Sequence, residues 1–372
     1  MKILYDGHVY RMQAVGGISR YLVNLVNRLP DDWTPTITVG NTKPAEYQRL
    51  RFPIHRNLKL ERFPFPGLRP RQLLNWASQK YFAGIESNGH FNLIHSVHHG
   101  SLAGGTRVRC RTPFVLTVHD MIPEIYSQEL DPQGHDANVK RKAAAAADAV
   151  ICTSENTRKD LLERIPVPEQ RLFVIPLASE LSREMSLGDE PVPERPYFLF
   201  VGARKAGYKN FARLLEAFTR VAEKQKDLEL LVVGPPWDSS ERGLISELKM
   251  DGRIRNTGPV SDVYLARLYR CSLALVYPSL YEGFGIPPLE AMACGSLAVV
   301  SNTASLTEVT GKAAILIDPR FTDSIADGMW KVCSLDGEQR QEGINRGMAW
   351  AARFQWSKTA CDTMAVYKTV AA

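Results

Sequence analysis

Tyr277-Pro278-Ser279-Leu280-Tyr281-Glu282-Gly283-Phe284-Gly285-Ile286-Pro287-Pro288-Leu289-Glu290-Ala291-Met292-Ala293-Cys294-Gly295 reads as the end of a strand, a glycine-rich turn and the start of a helix. The apolar run Leu273 to Tyr277 stops at Pro278, which cannot donate to a strand ladder. Two glutamates follow, eight positions apart. A single helix would separate them by about 12 Å, but Gly283, Gly285 and two prolines argue against a helix through Glu282. Glu282 is therefore predicted on a loop and Glu290 in the first turns of a helix opening near Pro287. Glycines let the backbone approach an anion, and a helix start adds unpaired N–H groups and partial positive charge. Carboxylates suit hydroxyl pairs, such as those of ribose or a hexose, rather than phosphate. Taken singly, Glu290 also fits a dipole-complementing residue and Gly-Phe-Gly a plain tight turn.

The same strand–turn–helix rhythm extends in both directions. Tyr197 to Val201, Leu228 to Val233, Leu297 to Val300 and Ala314 to Ile317 are short apolar runs, with a helical pattern from Asn210 to Glu223. Before them, residues 182–196 are polar and carry three prolines and one glycine, a linker composition. Earlier still come strands at Lys2 to Asp6, Leu93 to His95, Phe114 to Val118 and Ala149 to Cys152. Helical segments fall at Tyr21 to Leu29, at Lys140 to Asp148 and from an N-cap at Ser154. Continuous apolar strands alternating with helices predict parallel sheets covered on both faces. The fold class is thus α/β: two Rossmann-like domains, 1–182 and 197–356, joined by a linker at 183–196, with ligands expected in a cleft at the strands' carboxyl ends. Ser357 to Val370 reads as a terminal amphipathic helix.

Composition narrows the function classes. The 372 residues are enough for two cores. The apolar run at the N-terminus is too short for a secretory signal, and no stretch approaches the length of a membrane span. The sequence therefore implies a soluble or peripheral, cytoplasmic protein. Cysteines at 110, 152, 271, 294, 333 and 361 form no C-x-x-C pair and read as reduced core thiols. A net charge of +6 without a dense basic block excludes a nucleic-acid arm. Leu58 to Phe82 mixes aromatics with Arg62, Arg69, Arg71 and Lys80; it reads as a solvated loop and helix or as a contact for an anionic inner-membrane surface or lipid-linked acceptor.

No metal motif is visible: the chain lacks an Asp-x-Asp pair. His95-Ser96-Val97-His98-His99 offers two readings, a metal site and a cleft wall on the acceptor side. Strand alternation would place His95 and His99 on one face and His98 on the other, and no carboxylate or cysteine completes a ligand set. His119 and Asp120 end a strand, so both are expected at the cleft.

The segment around Glu282 and Glu290 resembles the E-x7-E signature of retaining glycosyltransferases with the GT-B fold, specifically family 4 (group 1). The similarity takes in Gly16-Gly17, Thr117-Val118-His119-Asp120, Ser154-Glu155-Asn156-Thr157, Val201-Gly202 and the final helix, and is strongest to bacterial mannosyltransferases of surface-polysaccharide assembly. It implies that the terminal helix, 357–372, crosses back onto the first domain. It implies that Glu290 holds ribose hydroxyls, that Glu282 lies near the transferred sugar, and that backbone N–H groups of Gly283, Phe284, Gly285 and Ile286 hold the distal phosphate and sugar. In Val201-Gly202-Ala203-Arg204-Lys205-Ala206-Gly207-Tyr208-Lys209-Asn210 the family's Arg and Lys match Arg204 and Lys209, with Lys205 as an alternative lysine. Such cations would neutralise a leaving diphosphate in place of a metal. Gly16 and Gly17 would face the donor phosphate, and His119 would contact the donor sugar. Asp120, His98 and His99 remain candidates for acceptor or sugar contact. Backbone near Gly234-Pro235 and at Gly258 to Asp262, Val260 included, would read the base.

The function implied is a metal-independent, retaining hexosyltransferase without a cofactor. Its donor is a nucleotide-diphosphate sugar, GDP-mannose ahead of UDP- or ADP-glucose; its acceptor is a saccharide or lipid-linked saccharide of lipopolysaccharide assembly. Arg204→Ala is expected to abolish most turnover and leave the fold intact. The rivals are a nucleotide-sugar epimerase on the same fold and a catalytically silent sugar-binding subunit. A nicotinamide dehydrogenase is disfavoured because Pro288 stands where a G-x-G-x-x-G fingerprint needs its third glycine.

Overall fold

The apolar runs of the sequence are strands in two separate parallel sheets, one of seven strands and one of six. The structure, a computed structural model, describes residues 1–7, 9–12, 16–40, 51–64, 71–99 and 112–372. It divides into two units, Met1–Leu177 with Trp356–Ala372, and Ala178–Gln355.

In the first unit the strands β1 (Lys2–Tyr5), β2 (Thr34–Val39), β3 (Lys59–Arg62), β4 (Leu93–Ser96), β5 (Phe114–Val118), β6 (Ala149–Cys152) and β7 (Leu172–Val174) lie in the order 3-2-1-4-5-6-7. Every pairing is parallel. Interior strands such as β5 and β6 are buried throughout, because helices cover both faces. Two strands depart from the apolar-run pattern. β2 is Thr-Pro-Thr-Ile-Thr-Val, and its Pro35 precedes the pairing with β3, which starts at Thr36. β3 is a charged edge strand, Lys-Leu-Glu-Arg, and β7 is the opposite edge.

The second unit contains β8 (Tyr197–Val201), β9 (Glu229–Val233), β10 (Ile254–Gly258), β11 (Ala274–Tyr277), β12 (Ala298–Ser301) and β13 (Ile315–Ile317), in the order 10-9-8-11-12-13. Renumbered from its own start this is 3-2-1-4-5-6, the Rossmann order. Its core includes the apolar stripe of the helix Phe211–Lys224, where Phe211, Leu214, Leu215, Phe218, Val221 and Ala222 recur at helical spacing and are buried. Phe200 and Phe218 are fully buried, each contributing about 2–3 kcal/mol of transfer free energy.

The segment read as a linker, 183–196, is tied to this unit. Ser186 is buried in a 3-10 turn, Met185–Leu187. On the helix Asp262–Cys271, Arg267 donates to the Glu190 carbonyl at 2.5 Å and also to that of Gly188, and Tyr264 donates to the Pro191 carbonyl at 2.9 Å. Prolines and polar residues serve here because the backbone carbonyls bind side chains rather than a sheet.

The terminal helix, Trp356–Ala371, belongs to the first unit. Trp356, Ala360, Thr363, Val366 and Tyr367 form its buried face. A continuous hydrogen-bond chain anchors it. Thr363 Oγ1 donates to the Thr359 carbonyl at 2.7 Å, within the helix. The hydroxyls of Tyr21 and Thr117 are 3.2 Å apart, Thr117 Oγ1 is 2.8 Å from His95 Nε2, His95 Nδ1 is 2.5 Å from the Tyr367 hydroxyl, and that lies 3.3 Å from the Tyr5 hydroxyl.

Candidate functional site

In the second unit the strand order reverses between β8 and β11, and ligands of doubly wound sheets bind outside the carboxyl ends of strands at such a point. Lys209 follows β8 and Glu282 follows β11. Lys209 Nζ donates to Glu282 Oε1 at 2.7 Å and to the Tyr277 hydroxyl at 3.2 Å, and Tyr277 also bonds Glu282. The loops join through backbone as well, Leu280 N–H donating to the Tyr208 carbonyl at 2.7 Å. Both charged side chains are largely buried, 15% and 9% exposed. Burial opposes the ammonium, but Tyr277, then Glu282 and Tyr208, outweigh it and hold Lys209 protonated well above the ordinary lysine range. Burial, then Glu282, push the Tyr277 phenol upward, so it stays neutral.

Local chain geometry explains why Lys209 stands there. Asn210 takes the left-handed conformation (φ 58°), which asparagine tolerates. Its amide nitrogen donates to the carbonyls of Pro278 at 3.0 Å and Pro319 at 2.7 Å, pinning the start of the helix Phe211–Lys224 to the ends of β11 and β13.

Beyond Glu282 the chain turns as the glycines require. Gly285 has φ 95° and caps the helix Ile286–Ala293. Ser305 Oγ bonds the carbonyls of Glu282 at 2.8 Å and Phe284 at 3.0 Å, turning these acceptors inward. Among the described residues the N–H groups of Phe284, Gly285 and Ile286 donate to no protein acceptor. Pro287 and Pro288 remove the next two donors, so the anion-binding capacity of this helix start is concentrated at those three amides. Glu290 lies in the helix as expected, 5% exposed, and accepts from the Tyr269 hydroxyl at 3.2 Å. Phe284 packs into the unit against Phe354. Val260 is half-buried in the turn between β10 and the helix capped by Ser261.

Arg204 has other partners than the Lys209 cluster. Its side chain is 3% exposed and pairs with Glu241, Nε to Oε1 at 2.6 Å. Nη2 donates to the Pro235 carbonyl at 2.7 Å, and the guanidinium lies 4.6 Å from the Trp237 ring centre. It lines a cavity of about 540 Å3 with Lys205, Asn210, Asp238 and Glu241, a lining that does not include Gly283–Ile286. The physical reason is the capping box of the helix Ser239–Glu247: Glu241 is held at its start by the Asp238 N–H and offers the fork of the guanidinium a fixed carboxylate.

In the first unit the corresponding reversal lies between β1 and β4. Gly16 and Gly17 follow β1 at the start of the helix Gly17–Val26, where Gly16 exchanges hydrogen bonds with Ser19. His119 follows β5, half-buried, with Nε2 2.9 Å from the Val97 carbonyl and its ring edge-on to Tyr21. Burial, partly offset by the Val97 bond, lowers its pKa. Asp120 Oδ1 accepts from the Ile122 N–H at 3.0 Å, a local turn contact. The alternation expected for the histidine cluster fails because β4 ends at Ser96. His95 is a core residue, its pKa pushed down to about 3 by burial and then by His119, while the rings of His98 and His99 pack at 3.9 Å. Of the segment 58–82, Phe63 and Phe82 are buried in this unit's core; Arg69 lies outside the described residues.

Sequence reading missed Tyr277, Asn210, Ser305, Tyr269 and Glu241. Tyr277 and Asn210 adjoin motif residues and had a signal in that adjacency. Ser305, Tyr269 and Glu241 reach their partners only through folding. Among the described residues no group of three His, Cys, Asp or Glu side chains is placed to hold a metal, and no helix is long and apolar enough to cross a membrane.

Two family models match the chain almost end to end: Glycosyltransferase Family 4 over residues 15–183, and Glycosyl transferases group 1 over residues 183–350. O-antigen chain mannosyltransferase B of Escherichia coli is 27% identical, the alignment covering 99% of this chain and 100% of that protein. The MMP alpha-(1->4)-mannosyltransferase of Mycolicibacterium hassiacum is 27% identical over 62% of this chain and 56% of its own. Among solved structures, sucrose-phosphate synthase of Thermosynechococcus elongatus superposes with a TM-score of 0.81 at 21% identity, covering 99% of this chain and 98% of that one. Anabaena HepE, solved with UDP and glucose, superposes at 0.72 with 18% identity and 99% of both chains covered. At these identities the two structures speak for the fold alone.

Proposed function

This chain belongs to the family 4, group 1 glycosyltransferases, built as two Rossmann-like units of the GT-B fold, and on that premise we propose that it transfers mannose from GDP-mannose to a saccharide or lipid-linked acceptor of O-antigen-type polysaccharide assembly, with retention and without a metal. The observation that carries the reading is the protonated Lys209, paired with Glu282 at the switch point, in the segment whose Phe284–Ile286 amides find no acceptor among the described residues. The choice of mannose and polysaccharide rests on the names of the relatives.

In this reading the acceptor oxygen attacks the anomeric carbon on the face from which the diphosphate leaves. The new C–O bond forms as the C1–O bond to the diphosphate breaks, and the acceptor proton passes to a diphosphate oxygen. Lys209 and the amides stabilise the negative charge that develops on the leaving group. Glu290 takes ribose hydroxyls, Glu282 the transferred sugar, and the turn at Val260 the base. In the first unit His119 takes the donor sugar and Gly16–Gly17 the phosphate.

Thermal denaturation with GDP-mannose, UDP-glucose and ADP-glucose tests the donor. A ligand at 100 times its Kd stabilises the folded state by about 2.7 kcal/mol. Proton NMR of the product distinguishes retention from inversion, and excess chelator should leave turnover unchanged. No shift with any nucleotide sugar would overturn the proposal. Conversion of the donor sugar with no acceptor present would favour an epimerase.

A further inference from the structure

We propose that Lys140 is a positioning residue for His119, clamping the turn after β5 so that the imidazole presents Nδ1 as a hydrogen-bond acceptor. The inference deepens the donor-site reading of His119 and rests on it. Lys140 lies in the helix His135–Ala146, 1% exposed, inside a unit core that otherwise admits few charges. A lysine is taken out of water only when its donors find partners. Here Nζ donates to Glu124 Oε2 at 2.8 Å and to the Asp120 carbonyl at 2.9 Å. One end of the clamp is therefore the backbone directly after His119, and the other is the helical turn Ile122–Ile125 that follows.

The remaining contacts of His119 fix its ring. Thr153 Oγ1 donates to its carbonyl at 2.8 Å. The Val97 carbonyl can only accept, so Nε2 carries the proton and neutral Nδ1 is the acceptor. Among the described residues Nδ1 has no protein partner. A sugar hydroxyl is the chemistry it fits: a donor, small enough to reach a recessed ring. An imidazolium would lose that acceptor. The charged and titratable groups facing the ring are Asp120 beside it, which favours the cation, Lys140 from its helix, which opposes it, His95 on β4, and Tyr21 on the helix Gly17–Val26. Lys140 thus acts twice, through the Asp120 carbonyl on the turn and through its charge on the proton.

The test is a 15N NMR titration of His119 in the full chain, with a kinetic double-mutant cycle reading GDP release from GDP-mannose. Lys140→Met should raise the His119 pKa, and Lys140→Arg should hold it near the starting value. Lys140→Met with Glu124→Gln removes the orphaned carboxylate and keeps the measurement available if the single variant unfolds. Lys140→Met is expected to cut turnover about tenfold to a hundredfold, with little further loss when added to His119→Ala. An unchanged His119 titration, or a full additional loss in the His119→Ala background, would overturn the inference. Undiminished turnover in His119→Ala alone would sink the donor-site reading instead, and the titration would still decide what Lys140 does.

Discussion

Lys209 Nζ sits 2.7 Å from Glu282 Oε1 although the residues stand 73 positions apart, one after β8 and the other after β11. The pair converts the reversal of strand order into a fixed positive charge with an oriented carboxylate beside it. Lys209→Met leaves Glu282 buried and unpaired and should cost about 3 kcal/mol of stability. Lys209→Met with Glu282→Gln should recover most of that loss. Turnover should fall about 100- to 1,000-fold in both. Chemical denaturation and GDP release measure the two effects separately, and recovery of turnover along with stability would remove Lys209 from the chemistry.

Arg204 carries a different expectation from the one its motif suggests. Its partners are Glu241 and the Pro235 carbonyl, so Arg204→Ala strands a carboxylate that is itself 12% exposed. The fold should not emerge intact: a loss of about 3 kcal/mol is expected. Arg204→Lys should recover little, because an ammonium cannot reproduce the fork. Urea unfolding monitored by tryptophan fluorescence is suitable, since Trp237 lies under the guanidinium. Wild-type stability in Arg204→Ala would show the ion pair to be dispensable.

Gly285→Ala tests the turn. The position has φ 95°, and a Cβ there would meet Leu306 Cδ2 at 2.5 Å. About 1–3 kcal/mol of strain is expected, with a rotation of the Phe284–Ile286 amides. GDP affinity by calorimetry should fall in this variant and not in Leu306→Ala, which opens space but leaves the backbone unchanged.

Acid should destabilise the first unit. The folded-state pKa of His95 is about 3, against about 6.5 in the unfolded chain. Between those values the unfolded state binds the extra proton, so stability is complete above pH 6.5 and declines as pH falls towards 3, by at most about 1.4 kcal/mol per pH unit. His119, lowered chiefly by burial, adds to the loss of stability as pH falls below its unfolded value. His95→Gln should flatten the slope without abolishing it. A pH-independent unfolding midpoint between pH 7 and 4 in the wild-type chain would contradict this account.

The sequence by itself determined the alternation of strand and helix, the loop position of Glu282, the helical position of Glu290 and the Ser154 cap. These are local properties: an interior parallel strand is buried on both faces and must be apolar along its length, and Gly285 and Pro287 restrict the backbone wherever they fall. β2 escaped that reading because threonines interrupt it, and β3 and β10 because edge strands tolerate polar residues. Only the tertiary structure decided which charges meet. Lys209 and Arg204 stand five positions apart, yet one turns to Glu282 and the other to Glu241, because the end of β11 brings a carboxylate to the first and the cap of the helix Ser239–Glu247 brings one to the second. His95 likewise became a core residue because the terminal helix places Tyr367 against it. Such partnerships depend on how distant elements pack, a relation that residue spacing along the chain does not contain.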